Sequence, residues 1–198
     1  MENVSLPLEP VPTAILVIEF QKTWTEKGLF HWLIRRMYRS RRVLDHTQAV
    51  LHCARQRGFP VIHAPFVVDP SDPESFRRIP LLPKLLRGFT AGTWKAEFTP
   101  GIYHPSDIVI QGRYAFDATL GSNLIPILNE MRIRQVLCCG FTTDQCVART
   151  LKSLSQQGYL CALISDASAT FTRWQQKRVE KRFRSLTSQE IIRQWCTG

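Results

Sequence analysis

The chain has 198 residues, with 26 Lys plus Arg against 16 Asp plus Glu, a formal charge of +10. Its content of 44% hydrophobic and 21% charged residues is that of a globular chain and excludes a disordered one. No apolar run reaches the roughly 18 residues that a membrane-spanning helix needs, and Met1 to Thr13 is acidic and Pro-rich, without the basic start and apolar stretch of a secretory signal.

Thr13 to Phe20 (TAILVIEF) is a short apolar, β-branched run and predicts a buried parallel strand. Trp24 to Tyr38 reads as irregular and aromatic. Arg39 to Gly58 carries Val43, Leu44, Val50, Leu51 and Ala54 at helical spacing, with Gly58 as the stop. Pro60 to Val68 predicts the second strand. Asp69 to Ser106 is a long excursion with many of the prolines, predicted to cover an active site and to hold one short helix near Leu81 to Leu86. Asp107 to Ile110 predicts the third strand and Asn123 to Met131 a short helix. Gln135 to Phe141 (QVLCCGF) is the fourth strand, and Asp144 to Gln157 a helix ended by Gly158. Tyr159 to Ser165 is the fifth strand. Trp174 to Lys181 and Ser188 to Trp195 are helices, with a short sixth strand at Phe183 to Leu186.

Strands alternating with helices predict a parallel sheet covered on both faces. One domain spans 1–198, with 1–12 as an N-terminal tail. In such sheets ligands sit beyond the carboxyl ends of the strands. Three segments there carry reactive side chains: Glu19 to Trp24, Arg113 to Asp117 and Gly140 to Cys146.

Cys146 falls where the fourth strand becomes a helix, and a helix N-terminus lowers a thiol pKa and offers N–H groups to an oxyanion. The alternative is an inert buried cysteine. Glu19 ends an apolar strand, where a carboxylate needs a partner or a task. It reads equally as a general base and as a residue that turns outward or meets a buried Arg. Arg113 reads either as a surface residue or as the cation that pairs with Glu19 and stabilises a thiolate. The six cysteines form no C-x-x-C pair and gather no histidines, so neither zinc nor a disulfide framework is expected, and a cytoplasmic location fits. Basic residues cluster at Arg35, Arg36, Arg39, Arg41 and Arg42, and again at Arg173, Lys177, Arg178, Lys181, Arg182 and Arg184. No nucleic-acid motif accompanies them, so they read as solvated helix faces and a nucleic-acid partner is not expected.

Together AILVIEFQKTW, GTWKAEFTP, RYAFDATLGSNL, VLCCGFTTDQCV and GYLCALISDASAT resemble the isochorismatase-like cysteine hydrolases over about Thr13 to Thr187. The resemblance implies a three-layer, Rossmann-like α/β fold with a six-stranded, mostly parallel sheet. It also implies a homo-oligomer, dimer or tetramer, acting on a small-molecule substrate. Many members are amidases that use an Asp, a Lys and a Cys, and on this pattern Cys146 matches the nucleophile and Glu19 the acid. Gln21 and Trp24 match the same motif, whereas Lys22 and Thr23 depart from it.

The family lysine is absent. A gapless match puts Arg113 in its place, and a one-residue gap puts Gln111 there. Lys95 or Lys22 would be distant substitutes. The pattern therefore implies either a hydrolase of an amide, ureide or carbamoyl C–N bond, or an altered member that binds a ligand or protein without turnover. It further implies a cis peptide at Phe141–Thr142 and oxyanion contacts from the N–H groups of Thr142 and Cys146. Candidate pocket walls are Trp24, Trp94, Tyr114 and Phe141, each also readable as core. Asp144 reads as a helix cap. His63 reads as a packed or substrate-facing strand residue, and without the Asp-x-His of the metal-holding members neither metal nor cofactor is expected. Arg113 and the net charge would favour anionic substrates.

Overall fold

The computed structural model of the chain describes residues 8–79, 81 and 88–196. Six strands form one sheet: β1 Thr13–Ile18, β2 Val61–Ala64, β3 Ile108–Val109, β4 Gln135–Phe141, β5 Leu160–Ala169 and β6 Ser185–Leu186. Their order across the sheet is β3-β2-β1-β4-β5-β6, and every pairing is parallel. β1 and β4 are buried along their whole length, which is why both read as unbroken apolar runs rather than alternating ones.

The alternation of side chains divides β1 between two cores. Ile15 and Val17 join one cluster, packed with Val50, Leu51 and Ala54 of α3 (Val43–Gln56) and Ile191 of α8 (Ser188–Cys196). Ala14, Leu16 and Ile18 join the other, with Leu124 and Leu128 of α5 (Leu124–Glu130) and Leu151 and Leu154 of α6 (Ala148–Gln156). The result is the three-layer, helix–sheet–helix arrangement expected from the sequence. Successive strands step outward from β1 in one direction and then return to its other side at β4. The crevice between the carboxyl ends of β1 and β4 is therefore the topological switch point, where parallel sheets bind ligands.

Several local expectations need correction. The stretch read as irregular forms a four-residue turn of helix, α1 (Lys22–Thr25), and a three-turn helix, α2 (Leu29–Ser40). His31, Ile34 and Met37 make the buried stripe of α2. Exposed Leu29, Trp32 and Leu33 hide that stripe in the sequence. The single helix expected from Arg39 to Gly58 is broken at Arg42, whose φ is +48°, and resumes as α3. Five expected strands also have different bounds: β1 stops at Ile18 and β6 starts only at Ser185. β2 and β3 are shorter than expected, and β5 runs four residues past Ser165 to Ala169. The long excursion holds α4 (Pro73–Arg78); the helix expected near Leu81 to Leu86 lies, apart from Leu81, outside the described residues.

Arg35, Arg36, Arg39 and Arg42 are exposed, as are Arg173, Lys177, Arg178, Lys181 and Arg182 along α7 (Arg173–Arg182). Arg41 differs from its neighbours: its guanidinium reaches Glu180 of α7 at 2.8 Å and the Ser165 carbonyl at 2.9 Å. No helix among the described residues is long and apolar enough to cross a membrane.

Candidate active site

At the end of β1 the backbone turns abruptly. Glu19 has φ of +54°, the left-handed region that costs a residue with a Cβ about 1 kcal/mol or more. Its N–H is held by the Ala64 carbonyl at 3.1 Å, and the Gln21 N–H closes back on its own carbonyl at 2.7 Å. This turn breaks the alternation of the strand. Ile18 packs into one core and Phe20, two residues on, into the other. On the adjoining strand Gly140 lies so close to β1 that a Cβ there would stand 1.9 Å from the Ile18 carbonyl oxygen. Only glycine lets β1 and β4 approach this tightly beside Glu19.

The glutamate carboxylate is buried and fully engaged. Arg113 Nη2 donates to Oε1 at 2.6 Å, and the Trp24 indole N–H donates to Oε2 at 3.2 Å. The Cys146 thiol lines the same cavity floor and feels the charge of this carboxylate. Arg113 is held as firmly as its partner. Its Nε donates to the Ala115 carbonyl at 2.9 Å, Nη1 to Ala64 at 2.7 Å, and Nη2 also to Phe116 at 2.8 Å. The planar fork of arginine fits three carbonyls and a carboxylate at once, which an ammonium would not do. Gln111 is exposed and lines a separate, larger cleft of about 420 Å³ that contains no cysteine. Of the two residues that stand in for the family lysine, Arg113 is the one that meets Glu19.

Cys146 sits in a π turn, Thr143–Val147, that leads from β4 into α6. The Phe141–Thr142 peptide bond is cis. Burial pushes the thiol well above its ordinary pKa, and the negative charge of Glu19 adds to the rise. Arg113 and the Thr142 N–H oppose it without reversing it. The helix-lowered thiol expected from the sequence is thus corrected: desolvation outweighs the short helical start. Asp144 does not cap the helix either. Its carboxylate accepts hydrogen bonds from Thr170 and Gln175, tying the turn to the segment after β5.

Above the sulfur lies a cavity of about 280 Å³, with Glu19, Thr142 and Cys146 at its base and Gln145 on its lining. Six aromatic side chains wall it: Trp24, Phe30, Phe66, Phe89, Phe116 and Phe171. Of the expected walls, Trp24 is placed there. Trp94 lies elsewhere, lining a small cleft near Lys27. The Tyr114 ring lies against Arg78 and Gly121. Phe141 stands behind the wall, 6.0 Å from Trp24 and 4.7 Å from Phe20 between ring centroids. Five of the six rings carried no signal in the sequence, because each comes from a loop or helix whose partners are remote along the chain.

His63 is buried on β2, with Nε2 2.8 Å from Asp107 and its ring 5.0 Å from Phe98, away from the thiol. Lys22 pairs with Glu97 at 2.6 Å, and Lys95 lines the cleft beside Trp94, so neither takes the place of the lysine at Glu19. Among the described residues no group of three His, Cys, Asp or Glu side chains is gathered as a metal site.

Residues 13–191 match the isochorismatase domain family. A cysteine hydrolase from Pseudomonas syringae pv. phaseolicola shares the fold with a TM-score of 0.82 at 19% identity, over 96% of this chain and 95% of that one. N-carbamoylsarcosine amidase from Thermoplasma acidophilum superposes with a TM-score of 0.73 at 21% identity, over 90% and 97% of the two chains. An uncharacterised isochorismatase family protein of Bacillus subtilis is 20% identical over 160 residues, 81% of this chain and 79% of that protein.

Proposed function

The chain belongs to the isochorismatase family, and from that premise we propose that it hydrolyses a C–N bond of a small carboxamide, ureide or carbamoyl compound through a Cys146 acyl-enzyme. The observation that carries this reading is a buried Cys146 that shares the floor of one aromatic-walled cavity with Glu19, whose carboxylate Arg113 holds at 2.6 Å. Such a pair suits general-base activation of a nucleophile.

In the acylation step the thiol proton passes to Glu19 as sulfur bonds to the carbonyl carbon. The N–H groups of Thr142 and Cys146 receive the oxyanion. Collapse breaks the C–N bond, and Glu19 returns its proton to the departing nitrogen. Water then adds to the thioester with Glu19 again as base, and the proton ends on sulfur as the acid leaves. Arg113 stays charged throughout and acts by position and field. The fall in the proton-transfer barrier comes from coupling transfer to attack, because the resting thiol is too weak an acid to supply free thiolate.

An ammonia-release assay against carboxamides, ureides and carbamoyl compounds tests the reaction, with intact mass spectrometry of the quenched enzyme for the acyl adduct. Expected are ammonia from at least one member, an adduct on Cys146, and loss of both in Cys146→Ala. A second reading, ligand or protein binding without turnover, is favoured by the four hydrogen bonds that immobilise Arg113. It is selected if no amide releases ammonia with either the native chain or the Arg113→Lys variant.

A further inference from the structure

The six rings beside Cys146 form a continuous series. Centroid separations run 6.3 Å from Phe116 to Phe66, 5.6 Å to Phe89, 5.5 Å to Phe30, 5.0 Å to Trp24 and 6.5 Å to Phe171. The charged group at the base already has protein partners. The Glu19 oxygens are taken by Arg113 and by Trp24, and the only polar atom of the Trp24 ring is spent on Glu19. The Arg113 guanidinium is outside the lining of this cavity and satisfied by carbonyls, so among the described residues this buried cation is not offered to a ligand there. Beyond the N–H groups that face the reacting carbonyl, a bound molecule meets mostly ring carbon, with the Gln145 amide and the Thr142 hydroxyl as the polar side-chain groups left in the lining.

We infer that the substrate is a neutral amide whose acyl group is a carbocyclic aryl or arylalkyl group without charge or ring heteroatom. This rests on the hydrolytic reading above and narrows it, and it reverses the preference for anions expected from composition. Size agrees: an apolar cavity of about 150 Å³ takes a benzene ring, so 280 Å³ takes one ring, a short linker and the carboxamide. Charge agrees as well. A carboxylate carried into this belt would lose its water, meet no cation among the described lining residues, and approach the Glu19 carboxylate. A ring nitrogen would lose a hydrogen bond to water without replacement.

The test uses matched amides: phenylacetamide, benzamide, pyridine-3-carboxamide and succinamate. Specificity constants are read from ammonia release by the native chain. Affinity is read separately by calorimetry or ligand-observed NMR on Cys146→Ala, which does not depend on turnover. Expected is binding of phenylacetamide at least about 100-fold tighter than succinamate, with pyridine-3-carboxamide about 5- to 30-fold weaker than benzamide. The order in specificity constant should be the same. Phe171→Asn should weaken phenylacetamide about tenfold while leaving succinamate unchanged. Equal binding of all four, or preference for succinamate or the pyridine, overturns the inference even if ammonia is released. Ammonia from no member, with phenylacetamide still bound selectively, supports this ligand class and removes the hydrolytic reading instead.

Discussion

Two buried carboxylates pair with arginine at the same distance, and only one has a chemical opening. Glu19 meets Arg113 at 2.6 Å and Asp107 meets Arg55 at 2.6 Å. Asp107 also accepts from His63 at 2.8 Å and from the His104 backbone N–H at 2.9 Å. Burial opposes its ionisation, yet the His63, Arg55 and His104 donors overcome that and hold it well below the usual carboxylate range. Each donor is fixed, so Asp107 ties α3, β2 and the turn before β3 together. The Glu19 set has the Trp24 indole N–H in place of the His104 backbone N–H, and it differs chemically at one further neighbour. Where Asp107 has a histidine ring, Glu19 has the thiol of Cys146, which is nucleophilic once deprotonated and faces a cavity. The ion pair alone does not mark an active site; a transferable proton on a nucleophile beside open volume does.

The sharpest way to break the comparison is to neutralise each carboxylate. Glu19→Gln removes the base, and turnover should fall about 10²- to 10⁴-fold in steady-state assays of the purified, folded variant. Asp107→Asn should leave the turnover of folded protein within about twofold. Its cost appears in denaturant unfolding, at about 2–4 kcal/mol, because Arg55 and His63 lose their charged acceptor. The pH dependence follows from the direction of the shift. Since the folded protein depresses the Asp107 pKa, its contribution is whole at neutral pH and is lost as the pH falls below the ordinary value of 3.8. Urea midpoints followed from pH 6 to pH 2 should therefore fall less steeply in Asp107→Asn than in the native chain.

How much of this was legible in the sequence depends on how local each signal is. β1 and β4 announce themselves because full burial makes them continuous apolar runs, and Glu19 stands out as the charge at the end of one. Arg113 follows from being the cation at the end of the third strand. The aromatic belt does not follow. Phe30, Phe66, Phe89, Phe116 and Phe171 are spread over 141 residues of chain, and their convergence is a property of the sheet's handedness and of the path of its loops. Trp94 and Tyr114 sit in motifs as conspicuous as that of Trp24, yet the chain turns them elsewhere. The Asp107 cluster was missed for the same reason: its partners Arg55 and His63 lie 52 and 44 residues away, on a helix and a strand. The raised thiol pKa was illegible because it is set by desolvation, which exists only once the cavity walls are assembled.

Replacing Arg113 by Lys sharpens the comparison from the cation's side. The charge survives, but the fork that reaches Ala64, Ala115 and Phe116 does not, so stability should fall by about 1–3 kcal/mol. Turnover should stay within about tenfold, because the ammonium still holds Glu19.

The smallest effect separates proton affinity from catalysis. In the native chain iodoacetamide should label Cys146 slowly at pH 7 and faster as the pH rises past 9, since burial and Glu19 both raise the thiol pKa. Glu19→Gln removes one of those two causes and leaves Arg113 and the Thr142 N–H, which stabilise thiolate. The inactive variant should therefore alkylate several-fold faster than the native chain at pH 8, by about tenfold for each pK unit recovered. Cys139, buried in β4 without cation, donor or cavity, should stay unlabelled in both, as peptide mapping would show. If Glu19→Gln slows labelling instead, Glu19 is drawing the proton off the resting thiol, and the protonated ground state described for this pair is wrong.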